Sequence, residues 1–231
     1  MKTYGLDMLI FGAHPDDAEI GMGATIYKHT KAGFRVGICD LTFAEMSSNG
    51  TVESRRIEAD EAGRILGLAE RSNLGLPDRG LRFESDQLTA IVQEIRRLRP
   101  RYVFAPYGQD RHPDHVQCGK MVEDAVFSAK LRKYLPDSEP FQVERLYSYF
   151  INDVYEPDIV IDVTADYSKK IEALQAYRSQ FYVGEGDVVT AINQGFLDGI
   201  EARDKAIGQK LGYRFAEGFV CKQPIVMDVF S

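Results

Sequence analysis

Short apolar runs alternate with helical patterns along the first half of this chain. Met8 to Gly12, Val36 to Leu41 and Tyr102 to Ala105 have the length and composition of buried strands. Between them, the stretches from Glu53 to Leu66 and from Asp86 to Leu98 are rich in helix-favouring residues. This β-α-β-α alternation is typical of a mostly parallel sheet with helices on both faces. The sequence therefore predicts an α/β, Rossmann-like three-layer fold with a mostly parallel central sheet.

The second half of the chain has a less regular pattern. Leu146 to Ile151 and Ile159 to Val163 are predicted strands, whereas Ser168 to Tyr177 and Asn193 to Leu211 are predicted helices. The tail from Arg214 to Val220 is expected to return either as a strand or as a cover over the site. We expect this irregular C-terminal part to pack over the functional site.

The length of the chain indicates how many domains it forms, and its charge limits the kinds of partner that it binds. Its 231 residues, 44% of them hydrophobic, are enough for one large α/β unit, so we expect a single domain over residues 1–231. Lys and Arg number 28 against 35 Asp and Glu, which gives a formal net charge of −7. This acidic balance disfavours nucleic-acid backbones and anionic membranes. We therefore expect neither nucleic acid nor a membrane among the partners.

The cysteines and the apolar segments bear on where the protein works. Cys39, Cys118 and Cys221 are an odd number at unrelated spacings, without the CxxC pair of a thiolate metal site. They are expected to be free thiols in a reducing compartment. The apolar run near the N-terminus is too short for a signal peptide, and no stretch approaches the ~18 apolar residues that span a bilayer. A cytoplasmic location is the expectation.

Polar residues follow the predicted strands at the positions where such sheets bind ligands. In open parallel sheets, ligands lie outside the carboxyl ends of the strands. His-Pro-Asp-Asp at residues 14–17 follows the strand at Met8 to Gly12, and Asp-Arg-His-Pro-Asp-His at residues 110–115 follows the strand at Tyr102 to Ala105. Three of the four histidines fall in these two loops: His14, His112 and His115. We expect the two loops to meet at one edge of the sheet.

The residue types in these loops are those of a catalytic zinc site. Such a zinc keeps three protein ligands, often imidazoles and a carboxylate, and an open position for water. His14, Asp17 and His115 can supply that set, because the i, i+3 spacing lets one tight turn point His14 and Asp17 at the same ion. Asp16 could then take a proton from the metal-bound water, and His112 could stabilise negative charge on the substrate oxygen.

Each loop alone also has a simpler structural explanation. The acidic pair of the first loop could cap the helix that begins near Glu19, and residues 112–115 could be a capped helix start with solvated histidines. Two such loops at the ends of two strands are harder to explain by capping alone. Within the second loop, Asp114 is a candidate orienter of His112 that would fix its tautomer and favour its charged form.

Several arginines near the strand ends are candidates for substrate binding. Arg55 and Glu58 lie one helical turn apart, so the simple interpretation is a surface ion pair. The start of that helix also faces the predicted site, and Arg55 could reach an anionic or hydroxyl-rich substrate. Arg79, Arg82 and Arg111 follow other strands, and guanidinium groups suit bidentate binding of carboxylates.

These loops and several shorter segments resemble the LmbE-like, or PIG-L-type, zinc-dependent N-deacetylases. The main motifs are Ala-His-Pro-Asp-Asp at residues 13–17 and His-Pro-Asp-His at residues 112–115. The likeness is strongest to the bacterial branch of bacillithiol biosynthesis deacetylases, which act on N-acetylglucosaminyl malate. Many members carry Glu directly after the paired Asp, whereas here Ala18 precedes Glu19. Supporting segments cover nearly the whole chain: 11–14, 19–21, 47–51, 55–58, 76–80, 104–107, 179–181 and 216–219.

The resemblance implies a role for each matching residue. It makes His14, Asp17 and His115 the ligands of one Zn²⁺ per subunit. Asp16 would be the general base and His112 the oxyanion-stabilising residue. The substrate-binding residues it implies are Arg55 and Arg111. It also implies a homohexamer that acts on a small N-acetylated glucosaminide.

Other functions remain open at this point. A related deacetylase could act on N-acetylglucosamine or a chitooligosaccharide, and an amidase of thiol conjugates would share the same catalytic residues. Two histidines and a carboxylate also describe the metal site of non-haem iron oxygenases. A dinucleotide-binding oxidoreductase is disfavoured, because residues 12–17 lack the GxGxxG run and place two acids where a pyrophosphate would bind.

Overall fold

The computed structural model of this protein describes residues 3–224. Its strands are β1 Leu6–Gly12, β2 Val36–Thr42, β3 Glu70–Leu76, β4 Pro100–Pro106, β5 Arg145–Tyr149, β6 Ile159–Asp162 and β7 Ala216–Val220. Its helices are α1 Asp17–Lys31, α2 Val52–Leu66, α3 Ser85–Leu98, α4 Pro113–Ala129, α5 Tyr167–Ala176, α6 Arg178–Phe181 and α7 Phe196–Gln209. Within this described range, no helix combines the length and the apolarity needed to cross a bilayer.

The strands form a seven-stranded sheet in the order β3-β2-β1-β4-β5-β7-β6. β1 to β5 pair in parallel, and β7 lies antiparallel between β5 and β6. The chain builds β2 and β3 on one side of β1 and then crosses to β4 on its other side. The loops after β1 and β4 therefore diverge at the carboxyl ends of the two strands, and the crevice between them is the usual ligand site of such sheets.

Helices cover both faces of the sheet, which explains why β1 is a continuous apolar run. Leu9 and Phe11 pack with α3 and α4, whereas Met8 and Ile10 pack on the opposite face with α1 and α2. Successive side chains of a strand point to opposite faces, so a strand covered on both sides needs apolar residues throughout. The result is the three-layer arrangement expected from the sequence.

The predicted α/β class and mostly parallel sheet are confirmed, and the second half supplies the details that the pattern left open. The tail returns as strand β7 and not as a cover over the site. The last predicted helix begins at Phe196, directly after Gly195, whose φ of 76° ends the preceding loop. Gln180 and residues 190–192 line the crevice instead, so the C-terminal part does pack over the site.

Side-chain capping fixes where α2 begins beside the crevice. Thr51 Oγ1 accepts a hydrogen bond from Ser54 N, and Ser54 Oγ lies 2.8 Å from Thr51 N, which forms a reciprocal capping pair. The helix ends at Gly67, whose φ of 71° suits the left-handed C-cap. These local signals place the first turn of α2, including Arg55, against the loop that follows β1.

A close approach between α1 and β5 depends on Gly21. A Cβ atom at this position would lie 2.2 Å from Tyr149 Cδ2 and 2.8 Å from Phe150 O. Tyr149 is fully buried and its hydroxyl donates to Phe11 O at 2.8 Å, so the ring cannot move away. The absence of a side chain at Gly21 therefore lets α1 pack directly on this ring.

Gly21→Ala is expected to lower the free energy of unfolding by about 1–3 kcal/mol, because it overpacks a closed core. Gly199→Ala is the control: Gly199 is an exposed position of α7 where an added Cβ meets no atom within 4 Å. This control should be neutral or stabilising by up to about 1 kcal/mol. Urea unfolding measured by circular dichroism compares the variants, and equal stability of the two would contradict the packing assigned to Gly21.

Candidate metal centre and active site

The loops after β1 and β4 enclose a cavity of about 480 Å³ at the carboxyl ends of the strands. The predicted site residues that line it are His14, Asp16, Asp17, Arg55, Arg79, Arg111, His112 and His115. Its other walls come from the loop after β2, Asn152 after β5 and Phe196 of α7. A larger groove of about 560 Å³ between α4 and β5 contains none of the predicted site residues.

Asp17 is the point at which the two loops meet. Its Oδ2 accepts hydrogen bonds from the backbone N–H groups of Ala13 and His14, both at 2.9 Å. His14 Nδ1 lies 3.6 Å from the same oxygen, and His115 Nε2 lies 3.1 Å from Asp17 Oδ1. The structure thus brings together His14, Asp17 and His115, which the sequence predicted as one donor set.

A second carboxylate holds the outer nitrogen of each histidine. Asp78 Oδ1 lies 3.1 Å from His14 Nε2, and Asp110 Oδ1 lies 3.0 Å from His115 Nδ1. Metal-ligating histidines usually bond a carboxylate or carbonyl through the nitrogen that does not face the metal. The inner nitrogens, His14 Nδ1 and His115 Nε2, are left directed toward Asp17.

Three residues that support the histidines, Asp78, Asp110 and Asn152, had no role predicted from the sequence. Asp78 and Asp110 were visible as acids in loops that follow strands, and that placement was the available signal. Asn152 gave no signal, because it follows β5 outside any motif. Its backbone N–H donates to Asp110 Oδ2 at 3.1 Å and its Nδ2 to Asp110 Oδ1 at 2.8 Å, so it fixes the carboxylate that orients His115.

These donors suit a divalent cation. Ring nitrogens of the three histidines lie within 4.8 Å of one another, and a second group with the same spacing joins His14 to Asp78 and Asp114. Burial alone would lower the pKa of His115, but Asp17 and Asp110 raise it to about 9. The surroundings therefore favour positive charge, and imidazole and carboxylate ligands are those of zinc and of non-haem iron.

Asp16 is held beside Asp17 in a strained backbone conformation. Its φ is 119°, a region that residues with a side chain rarely adopt. Arg55 stabilises this turn, since its guanidinium donates to Pro15 O at 2.6 and 2.9 Å and to Asp16 Oδ2 at 2.8 Å. Burial raises the pKa of Asp16 to about 7, although Arg55 opposes the shift. A carboxyl in that range can both accept and donate a proton near neutrality.

The acids of the first loop do not cap α1. Asp16 occupies the N-cap position, but its side chain makes no capping hydrogen bond, and Asp17 accepts from residues that precede the helix. His112 does cap α4, because its Nδ1 accepts from Asp114 N at 3.2 Å. Capping therefore explains the position of His112 but not of Asp16 or Asp17. The side chains of the first loop remain available for a chemical role.

The sequence predicted that the Asp114 carboxylate orients His112, but the structure gives this carboxylate other partners. The Asp114 carboxylate accepts from Arg79 N at 2.7 Å and from Arg79 Nη1 at 3.0 Å instead. The Asp114 carboxylate also lies 3.7 Å from His14 Nε2, and the contact of this residue with His112 comes from the backbone, since Asp114 N donates to His112 Nδ1. Burial and the neighbouring His115 and His14 lower the pKa of His112. Because Nδ1 accepts from Asp114 N, Nε2 is the ring nitrogen that can donate to a ligand.

The arginines differ in how free they are to meet a ligand. Arg55 does not pair with Glu58, which accepts from the backbone and hydroxyl of Ser179. Arg111 lies 5.9 Å from the centre of the Phe196 ring, and within residues 3–224 no carboxylate is paired with it. Arg82 lies outside the cavity lining. Arg111 is consequently the cation best placed to receive an anionic group.

Glu19 lies behind the first loop and does not line the cavity. It is fully buried and accepts from Arg71 Nη1 at 2.6 Å and from the Tyr177 hydroxyl at 2.8 Å. Arg71 also donates to Asp40, which joins α1, β2 and β3 beneath the site. Glu19 therefore stabilises the scaffold under Asp17.

Asp110→Asn is expected to weaken binding of a divalent cation by about 10–100-fold, since an amide orients His115 less strongly than a carboxylate. Asp153→Asn, in the exposed loop one residue after Asn152, is the matched control and should leave binding unchanged. Competition with a chromogenic chelator measures both. Unchanged affinity in Asp110→Asn would show that His115 does not bind the cation.

A family model described as PIG-L, GlcNAc-PI de-N-acetylase, matches residues 9–126, which are 118 of the 231 residues. This range contains both loops of the site. The conserved protein TT1542 of Thermus thermophilus has a crystal structure with a TM-score of 0.89 and 42% identity, covering 98% of this chain and 99% of that one.

Curated relatives carry names from two reaction classes. The diacetylchitobiose deacetylase of Thermococcus kodakarensis is 28% identical over 91% of this chain and 81% of its own. A probable N-acetyl-alpha-D-glucosaminyl L-malate deacetylase 2 of Bacillus anthracis is 28% identical over 84% of this chain and 88% of its own. The 4-oxalmesaconate hydratase of Pseudomonas putida is 24% identical over 99% of this chain and 93% of its own.

Proposed function

Because this chain belongs to the PIG-L family, whose model describes a de-N-acetylase, we propose that it is a metal-dependent hydrolase that removes the N-acetyl group from a glucosaminide. The observation that carries the proposal is the convergence of His14 and His115 on Asp17, with the buried Asp16 carboxyl beside them. Relatives of similar length named as deacetylases of N-acetylglucosamine-containing compounds support this reaction.

We infer that His14, Asp17 and His115 hold one Zn²⁺ per subunit. The inner nitrogens of both histidines face Asp17, and their outer nitrogens are occupied by Asp78 and Asp110. Two other groups have the spacing of metal ligands. His14, Asp78 and Asp114 would use the outer nitrogen of His14 and would not include His115, and in His14, His112 and His115 the third histidine would replace Asp17. The set of His14, Asp17 and His115 is favoured because Asp17 contacts both histidines, and the cavity of about 480 Å³ beside it can hold a water and a substrate.

Asp16 is the residue that moves the proton in this proposal. A divalent cation in the site supplies a water of lowered pKa and polarises the amide carbonyl. Asp16 accepts a proton from the attacking water, whose oxygen bonds to the acetyl carbon. The same carboxyl then donates the proton to the amine nitrogen as the carbon–nitrogen bond breaks. The second proton of the water is released as the new carboxyl ionises, so the products are acetate, a proton and a free glucosaminyl amine.

His112 stabilises the charge that develops on the carbonyl oxygen. Its Nδ1 accepts from Asp114 N, so the proton on Nε2 is available to the substrate. A neutral donor suffices for this role, because a hydrogen bond to a developing oxyanion strengthens as the charge grows. Asp114 contributes through its backbone, and its carboxylate fixes the loop that carries Arg79.

The N-acetylglucosaminyl conjugate of malate is the substrate that we propose. A cavity of about 480 Å³ accommodates a sugar and a small aglycone. The Arg111 guanidinium, which lines the cavity, matches a malate carboxylate. N-acetylglucosamine or a chitooligosaccharide is the alternative, and an amide of a thiol conjugate would use the same catalytic residues.

A hydratase is the second candidate, because a relative so named spans nearly the whole chain. Addition of water to a double bond also needs an activated water and a proton donor. Asp16 and His112 would serve both reactions, so the site alone does not separate them. Arg111 would then bind a carboxylate of an unsaturated acid.

Asp16→Asn is expected to lower kcat by about 10²–10⁴-fold and to keep the bound metal, because Asp16 is not among the proposed ligands. Acetate release and metal content measured on the same preparation test both halves. Asp153→Asn serves as the exposed control and should retain normal turnover. Near-normal turnover of Asp16→Asn would eliminate Asp16 as the proton acceptor.

A substrate panel tests the proposed reaction directly. N-acetylglucosaminyl malate, N-acetylglucosamine, diacetylchitobiose and 4-oxalmesaconate are offered to protein before chelation, after chelation and after zinc is restored. We expect chelator-sensitive acetate release that is fastest with the malate conjugate. Preference for another N-acetyl sugar would overturn the aglycone assignment, hydration of the unsaturated acid would favour the second candidate, and oxygen-dependent turnover would indicate iron chemistry.

The homohexamer and the cytoplasmic location stay predictions from the sequence. Every residue assigned to catalysis in this proposal lies in the described part of one chain.

A further inference from the structure

Helix α1 is interrupted at Met22, whose φ of −150° and ψ of 25° are not helical. In a regular helix, the Ile20 carbonyl would accept from Ala24 N four residues later. Here the Ala24 and Thr25 N–H groups donate to the Glu217 carboxylate of β7, at 3.2 and 2.7 Å. The Ile20 carbonyl is therefore released from its helical partner. The break also separates residues 17–21, which carry Asp17, from the rest of α1.

Arg203 of α7 takes the released carbonyl. Its Nη2 donates to Ile20 O at 2.6 Å, and its Nη1 donates to Ile151 O at 2.6 Å. Ile20 and Ile151 both line the site cavity, whereas Arg203 lies behind that wall and does not reach the cavity. One rigid guanidinium thus bonds the backbone of α1 and the backbone that follows β5.

The two carbonyls belong to the two halves of the metal centre. Ile20 N donates to Asp16 O at 2.8 Å, so the Ile20 peptide is part of the same turn as Asp16 and Asp17. Ile151 directly precedes Asn152, which holds Asp110 against His115. Arg203 therefore connects the loop that carries Asp17 with the residues that orient His115.

Buried charges keep Arg203 in this position. Its Nε donates to Asp204 Oδ1 at 2.8 Å, and Asp204 Oδ2 accepts from Lys170 Nζ at 2.7 Å. Lys170 also donates to Glu217 at 2.7 Å, which closes a chain of two cations and two anions. The Arg203 side chain is 9% exposed and the other three are at most 1% exposed. Such a network has one satisfied arrangement, because any displaced member would be a buried unpaired charge.

We propose that Arg203 is a positioning residue that sets the separation of Asp17 and His115, and with it the affinity and geometry of the metal centre. This inference rests on the ligand set of the proposed function. The fork of two donors is essential to it: an amine at the same position could bond one carbonyl but could not hold both at a fixed spacing.

The test compares two variants of this network in the full chain. Arg203→Lys keeps the charge beside Asp204 but loses the fork. Tyr167→Phe removes the hydroxyl that donates to Asp204 Oδ2 at 3.0 Å and touches neither carbonyl. A purely structural role would lower the melting temperature in both and affect the metal centre in neither.

We expect Arg203→Lys to weaken Zn²⁺ binding at least 10-fold in a chelator competition and to change the visible absorption spectrum of the Co²⁺-loaded protein. For a cleaved substrate, kcat should fall with KM within about twofold, because Arg203 does not line the cavity. Tyr167→Phe should keep wild-type Zn²⁺ affinity and Co²⁺ spectrum. Arg203→Gln, whose amide can bond a single carbonyl, replaces Arg203→Lys should the latter fail to fold.

Wild-type affinity and spectrum in the folded Arg203 variant would overturn the inference, as would an equal loss in Tyr167→Phe. Failure of the proposed function gives a different result: wild-type protein that binds Zn²⁺ but cleaves no member of the substrate panel. In that case the affinity and the spectrum still decide the role of Arg203. Wild-type protein that binds neither Zn²⁺ nor Co²⁺ would overturn the ligand set and this inference together.

Discussion

Five aspartate side chains buried at the crevice between β1 and β4 impose the main constraint on this structure. Their exposed fractions are 3 to 6%, and they belong to Asp16, Asp17, Asp78, Asp110 and Asp114. An unpaired buried carboxylate is costly, so each needs a cation or several hydrogen bonds. Arg55 forms an ion pair with Asp16. Each of the other four aspartates has a carboxylate oxygen within 4 Å of a ring nitrogen of His14 or His115. In this protein of net charge −7, the carboxylates concentrated at the crevice supply oxygen donors that suit a divalent cation.

The backbone around this crevice is also irregular, and charged side chains stabilise it. Asp16 adopts a positive φ because Arg55 bonds both its carboxylate and the preceding carbonyl. At the break in α1 around Met22, the Ile20 carbonyl accepts from Arg203, and the Ala24 and Thr25 N–H groups donate to Glu217. Irregular backbone at both ends of residues 16–22 is thus balanced by charged side chains from α2, α7 and β7. The C-terminal elements therefore complete the site even where they do not line it.

The chemistry of the site is broader than one reaction. A cation, a carboxyl that can exchange a proton and a neutral imidazole donor can activate water toward an amide or toward a double bond. Proteins similar to this chain are named for each reaction. Which bond is attacked depends on how the cavity wall holds the substrate. Arg111, whose guanidinium carbon lies 5.9 Å from the centre of the Phe196 ring, and residues 190–192 belong to that wall.

The sequence by itself determined the β-α-β alternation, the parallel core and the two polar loops, because strand and helix periodicity and the residues after each strand are local signals. The polar loops that follow the strands at Met8 to Gly12 and Tyr102 to Ala105 supplied the candidate donors His14, Asp17 and His115, whereas the adjacency of these two strands came from the structure. Only the tertiary structure decided the contacts between distant segments: Asp78 on His14, Asn152 on Asp110, and Arg203 across Ile20 and Ile151. The antiparallel insertion of β7 belongs to the same group. These pairings join residues far apart in the chain and depend on which buried polar group remains unsatisfied, which no local pattern records.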